Sequence, residues 1–295
     1  MDYSEYFKVA RIESWLGWIF SFCFGSIFLG SPALWRIMSI FFAFSFATAS
    51  IFILNQYFDR KGDNENKIKS NLPVASGRIA PRRALVLSLS LIILCLFIVF
   101  LVDMNLISLF LVYFALWTAY SGPLFRLKTV PVMDFIISGI GAGLIPFLIG
   151  AGSSYQQNIG ISVILISAAP LMSLHSSGHI LQALGDYEAD RKARVQTFVV
   201  KYGRKSGVIV MGFLFLLTGL LTIIYAVFSS LPSSYFPLYF LLLPLCIPIA
   251  EPYMLTIKNP TTENIIDLQK VIRKSGIIML VLVGAYVLVI KILGM

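Results

Sequence analysis

The chain reads as an all-α membrane protein, a single domain over residues 1–295 with nine transmembrane helices bundled around a central cavity. Three observations predict this. Of 295 residues, 58% are hydrophobic and 13% charged, against roughly 25% charged in a soluble globular chain, so a water-facing surface cannot be covered. Nine apolar runs reach or approach the about 20 residues that a helix needs to cross a bilayer core. The basic residues gather in alternate loops. The same composition excludes disorder, collagen, a disulfide scaffold and a coiled coil.

The runs lie near 14–30, 35–54, 84–102, 105–120, 131–151, 159–181, 206–228, 235–250 and 275–293. They are expected to be helices, because a lone strand leaves its backbone unpaired in lipid. The first opens on Glu13 and Trp15, unlike a cleavable leader with a small-residue exit. The fifth carries Gly139-Ile-Gly141-Ala-Gly143. No strand precedes these glycines, so they read as a helix-packing surface rather than a nucleotide loop. The sixth holds the only two histidines, His175 and His179. The eighth is broken by Pro237, Pro244 and Pro248. Cys23, Cys95 and Cys246 fall in separate apolar runs and show no disulfide or zinc spacing.

Of the 23 Lys and Arg, 21 precede the first run or follow the second, fourth, sixth and eighth. The loops near 103–105, 152–158 and 229–234 hold none. Positive-inside bias then places the N-terminus in the cytoplasm and the C-terminus outside a cell membrane crossed many times. The formal charge of +9 is therefore mostly topological, with no nucleic-acid partner implied. Some of it can face anionic membrane lipid or an anionic substrate. Arg36 stands apart beside Trp35, where it is expected to snorkel to the outer headgroups.

Two acidic clusters sit at the cytoplasmic ends of the second and sixth runs. One is Asn55-xxx-Asp59-xxx-Asp63 and the other Gln182-xxx-Asp186-xxx-Asp190. On a helix, positions i, i+4 and i+8 share nearly one face. The clusters are in register: each residue of the second is numbered 127 above its counterpart, and Arg194 stands at the same offset from Lys67. An even number of spans separates them, which makes a parallel internal repeat with polar segments near 55–83 and 182–205. Carboxylates gathered at a membrane face repel one another and resist desolvation. Mg²⁺ relieves both costs, typically using one or two carboxylates plus substrate phosphates. Two facing clusters point to two such ions bridging one diphosphate, with nearby bases on its other oxygens.

These residues resemble the UbiA superfamily of intramembrane prenyltransferases. Asn55, Asp59 and Asp63 match its first Asp-rich motif, and Asp186 and Asp190 its second. Tyr120-Ser-Gly-Pro-Leu-Phe-Arg126-Leu-Lys128 is similar to the Tyr-plus-Lys segment between them, and Arg11 to the basic residue that opens the first helix. The resemblance implies Mg²⁺, an isoprenyl diphosphate donor and a hydrophobic acceptor, aromatic or lipid. The four Asp would bind metal with Asn55. Asn55, Lys67, Arg194, Arg11, Tyr120 and either Arg126 or Lys128 would hold the diphosphate. The loop around Lys69-Ser-Asn-Leu-Pro73 departs from the family pattern by about two residues, and no role falls to Lys69.

Other residues have plainer readings. His175, His179 and Gln182 continue the Asp186 face, where they would line the cavity or contact the acceptor; packed neutral histidines are the alternative, and zinc lacks a third ligand. Asp134 starts a helix whose dipole favours it. Asp103 is a lone loop acid, and Glu188 is expected to pair with Arg191 or Lys192. The reaction expected is ionisation to an allylic cation, release of diphosphate and alkylation of the acceptor. A secondary transporter is the other reading, since repeats and membrane carboxylates occur there too, though usually near the midplane.

Overall fold

A computed structural model describes residues 4–28, 33–65, 69–154, 161–228 and 246–293, and every regular element among them is helical. Helix α1 (Ser4–Ala10) and a short 3₁₀ turn lead into α2 (Leu16–Phe28). Then come α3 (Leu34–Glu65), α4 (Pro81–Val102) and α5 (Ile107–Ser121). Helix α6 (Met133–Gly139) passes through a π-helical segment, Ile140–Leu144, into α7 (Ile145–Ser154). The rest is α8 (Ile161–Lys192), α9 (Phe198–Phe228), α10 (Ile247–Lys258) and α11 (Thr262–Leu293).

Eight of the nine predicted runs fall on these helices; most of the eighth, 235–250, lies outside the described residues. Among the described residues, five helices are long and apolar enough to cross a membrane, with α2 a shorter apolar helix. Their apolar side chains face outward as well as inward. Ile93, Phe97 and Leu101 on α4 and Phe213, Leu216 and Leu220 on α9 are all exposed, as lipid contact requires.

Two cores carry the packing. Phe22, Phe44, Phe110, Tyr113 and Ile149 close one among α2, α3, α5 and α7. Ile180, Leu184, Val208, Ile265 and Leu268 close the other among α8, α9 and α11. Within the first core, α2 and α7 cross closely. A Cβ on Gly25 would fall 2.1 Å from the Phe147 carbonyl oxygen, and one on Gly150 would fall 2.0 Å from that of Phe22. Small residues permit such backbone contact. The Gly139–Gly143 stripe packs likewise, against Ser176, Trp117 and Leu171.

The acidic clusters lie on helix, because α3 continues to Glu65 and α8 to Lys192. Three expectations need correction. Arg36 does not snorkel outward: its guanidinium donates to Asp103 Oδ2 at 2.5 Å and to the Gly152 carbonyl at 3.3 Å. Asp103 is therefore no lone acid, and the pair clasps three helix ends at the side away from the acidic clusters. Glu188 pairs not with its sequence neighbours but with Arg204, at 3.1 Å.

Asp134 does more than meet its own helix dipole. Only 1% exposed, it accepts from the backbone N–H of Phe135 at 3.0 Å and of Phe198 at 2.7 Å. It thus ties the start of α6 to the start of α9, just before α9 breaks at Gly203 (φ 86°). Asp134→Ala would strand the Phe198 N–H, at a cost of about 1–3 kcal/mol. A lower melting temperature in detergent is expected, with Asp134→Asn closer to the parent. An unshifted melt for the alanine change would rule out the tie.

Candidate active site

The ends of α3, α5 and α8 meet at one rim of the bundle. On α3, Asn55 Nδ2 donates to Asp59 Oδ2 at 3.0 Å and to Ser121 Oγ, at the end of α5, at 2.8 Å. Asp63 follows one turn later on the same face. Beyond α5 the chain turns through Gly122 and brings Lys128 Nζ onto Asp59 in a short contact. Arg126 Nη2 lies 3.8 Å from the other oxygen of that carboxylate. On α8, Asp186 receives Lys69 Nζ at 3.1 Å.

Lys69 and Lys128 stand between the two acidic helix ends. Lys128 acts electrostatically on Asp59, Asp63 and Asp190, and Lys69 on Asp63, Asp186 and Asp190. Burial draws the Lys128 ammonium below its ordinary pKa despite Asp59 beside it. Burial opposes the Lys69 charge too, but Asp186 and Asp190 outweigh it and hold that pKa above the ordinary value.

Arg11 joins from the start of the bundle, its guanidinium 5.8 Å from the Phe52 ring and its charge felt by Asp63. Arg194 is exposed and forms no side-chain ion pair among the described residues. Lys67 lies outside the described residues. Arg11, Arg126 and Arg194 share a backbone signature, with φ of 51°, 45° and 56°. A left-handed conformation costs a non-glycine residue about 1–2 kcal/mol, and such strain gathers at functional sites.

Lys69 is the residue that sequence reasoning missed. Its loop matches no expected spacing, so only the fold of 69–80 reveals its reach. That loop turns at Gly77 (φ 78°) and is held by Arg78, which donates to Glu5 Oε2 on α1 at 2.6 Å.

Below the rim, α8 presents an accessible stripe. His179, Gln182, Asp186 and Asp190 are open to varying degrees, while Ile180, Leu181, Ala183 and Leu184 are buried. His179 Nε2 lies 3.4 Å from Tyr120 Oη. His175 is placed differently, with Nε2 2.9 Å from Ser21 Oγ on α2. Aromatic rings gather alongside. Trp18 and Trp117 stack at 4.6 Å, Tyr120 meets Trp117 edge-on at 5.1 Å, and Phe52 lies 5.1 Å from Trp18.

Among the described residues, no three His, Cys, Asp or Glu side chains close on a single point. The donors are nonetheless all hard oxygens, presented in two groups rather than one cage. That matches Mg²⁺, which keeps waters and shares substrate phosphates.

The UbiA prenyltransferase family profile matches residues 18–265. The chain belongs to the UbiA prenyltransferase family. It is an enzyme of the membrane, a prenyltransferase. Over 259 residues, 82% of each chain, it is 29% identical to the digeranylgeranylglyceryl phosphate synthase of Methanococcus vannielii. The fold is that of a UbiA homologue from Archaeoglobus fulgidus bound to GPP and Mg²⁺, with a TM-score of 0.73 at 19% identity, covering 96% of this chain and 99% of that one. A UbiA homologue from Aeropyrum pernix K1 shares it too, with a TM-score of 0.71 at 14% identity, covering 90% and 97%. Membership in a prenyltransferase family favours the transferase over the transporter.

Proposed function

We propose that the chain moves an isoprenyl group from an isoprenyl diphosphate to a hydroxyl-bearing lipid acceptor, of the glyceryl phosphate kind that the Methanococcus relative's name implies. The observation that carries this reading is the placement of Lys69 and Lys128 between two acidic helix ends. A site with that charge layout binds a multivalent anion through cations. Asn55, Asp59 and Asp63 would hold one Mg²⁺, and Asp186 and Asp190 a second, drawing off the charge that develops on the leaving diphosphate.

The chain's own residues do the rest. Lys69, Lys128, Arg126 and Arg11 bind the outer phosphate oxygens, with Lys67 and Arg194 following their clusters at equal spacing. Charge-assisted contacts of this kind fix the donor's orientation. The rings of Trp18, Phe52, Trp117 and Tyr120 flank the reacting carbon, and their faces attract an allylic cation. Gln182 and the histidines border the acceptor. The two in-register halves each supply one acidic helix end. The rim faces the cytoplasm, as the basic loops require.

The deciding assay incubates purified protein with a labelled isoprenyl diphosphate, Mg²⁺ and geranylgeranylglyceryl phosphate. Labelled ether product and free diphosphate are expected, both lost on chelation and restored by Mg²⁺. Product that persists under full chelation would overturn the metal-dependent reading. Transfer to aromatic acceptors alone would move the acceptor to that class.

Sidedness has its own test. In a variant without the native cysteines, Asn71→Cys and Ala193→Cys should react with an impermeant thiol reagent from the cytoplasmic side only. Met104→Cys should react from outside only. Labelling of 71 and 193 from opposite sides would make a shared site impossible.

A further inference from the structure

Ether formation by a hydroxyl acceptor needs somewhere for a proton to go. When the acceptor oxygen forms its new bond to carbon, its O–H becomes strongly acidic. The carboxylates at the rim have other work in the reading above. Asp59 and Asp186 are engaged by Lys128 and Lys69, and Asp63 and Asp190 are given to Mg²⁺. Below them, the chain offers two histidines.

The histidines are not equivalent. The His175 ring is wedged on α2: its Nε2 meets Ser21 Oγ at 2.9 Å, and a Cβ on Gly17 would fall 2.8 Å from its Cε1. His179 has a single hydrogen-bond partner among the described residues, Tyr120 Oη, at Nε2. It borders open space. Gly178 and Gln182 beside it are exposed although they lie within a long helix, and a Cβ on Gly178 would meet nothing within 4 Å. His179 also lies seven residues before Asp186 on α8, a rise of about 10 Å.

Tyr120 links the imidazole to the rim, since its neighbour Ser121 accepts from Asn55. We propose that His179 is the general base of prenyl transfer, oriented by Tyr120; this rests on the prenyl-transfer reading above. That role requires the tautomer in which Nε2–H donates to Tyr120 Oη, which leaves Nδ1 to take the acceptor's proton. The acceptor oxygen's lone pair forms the new C–O bond. The allylic C–O bond breaks, and its electron pair leaves on diphosphate. The acceptor's proton passes to Nδ1 and from there to water at the rim. The charged and titratable groups that act around this imidazole are Asp186 on its own helix, Lys69 from the loop after α3, and Tyr120 on α5, itself within the field of Asp134 on α6, Asp59 on α3 and Asp190 on α8.

The test compares wild type, His179→Gln and Tyr120→Phe, each purified whole in detergent. Three quantities are read: binding of labelled isoprenyl diphosphate, ether formation on geranylgeranylglyceryl phosphate, and the pH dependence of that transfer. His179→Gln should bind donor within about threefold of wild type while transfer falls about 10²-fold or more. Its pH profile should lose the histidine's share of the acid limb and keep only the limb that protonation of the acidic clusters sets. Tyr120→Phe should keep the acid limb, displaced along the pH axis, with a smaller loss of transfer. Transfer by His179→Gln within threefold of wild type, or a pH profile superimposable on that of wild type, would overturn the proposal. Should His179→Gln not fold, the other two proteins decide: an acid limb in wild type that Tyr120→Phe displaces supports the base, and a flat profile or an unmoved limb rejects it. A wild-type protein inert with every donor and acceptor would instead count against prenyl transfer itself.

Discussion

Asp59→Asn and Asp186→Asn are each expected to lower prenyl transfer by about 10²–10³-fold or more, the loss that follows removal of one strong electrostatic contact to a transition state. Asparagine keeps the shape of the side chain and an oxygen donor, so the change isolates charge. At Asp59 the effect is compounded. Its carboxylate faces both Lys128 and Arg126, so neutralising it leaves two cations with one fewer counter-charge. At Asp186 only Lys69 is released. The melting temperature in detergent should therefore fall further for Asp59→Asn than for Asp186→Asn. Near-normal turnover by the double variant would dismiss the paired-cluster site outright.

Lys128→Ala should weaken donor binding more than Arg126→Ala. The Lys128 side chain is 16% exposed against 50% for Arg126, and solvent screens the outer charge. Losing a charge-assisted contact costs about 1.5–3 kcal/mol, or roughly ten- to a hundredfold in affinity. Lys128→Ala should reach that range in a donor-displacement measurement. Arg126→Ala should fall short of it, and Lys69→Ala should behave like Lys128→Ala. Equal and negligible losses in all three would return these bases to a purely topological role.

The reach of sequence reasoning differs from residue to residue. Asn55, Asp59 and Asp63 were readable as one helical face because their spacing of four is set by helix geometry. Basic loops marked which helix ends lie together, because lipid penalises charge in a way that depends only on position along the chain. Lys69 was not readable: its reach depends on a loop folded over α1 through Arg78 and Glu5, a contact between residues far apart in sequence. The same holds for Arg36 with Asp103 and for Glu188 with Arg204. The π-helical turn at Ile140–Leu144 also left no mark, since small residues at its centre suit an α-helix against a neighbour equally well. The choice between Arg126 and Lys128 stayed open because both leave the same short loop. Burial, which only the fold sets, ranks them.

The far side of the bundle has a consequence for the cell. A polar cavity that opens to one side of a membrane is halfway to being a pore. Here the crossing of α2 and α7 leaves no room for a methyl group at Gly25 or Gly150, and Phe22 and Phe147 are wholly buried beside it. Arg36, Asp103 and the Gly152 carbonyl close the helix ends beyond. Among the described residues, this end is thus backbone and ring, backed by an ion pair. Close packing of that kind leaves little room for a file of water. A membrane enzyme with a charged centre needs such packing if proton and ion gradients are not to leak through it.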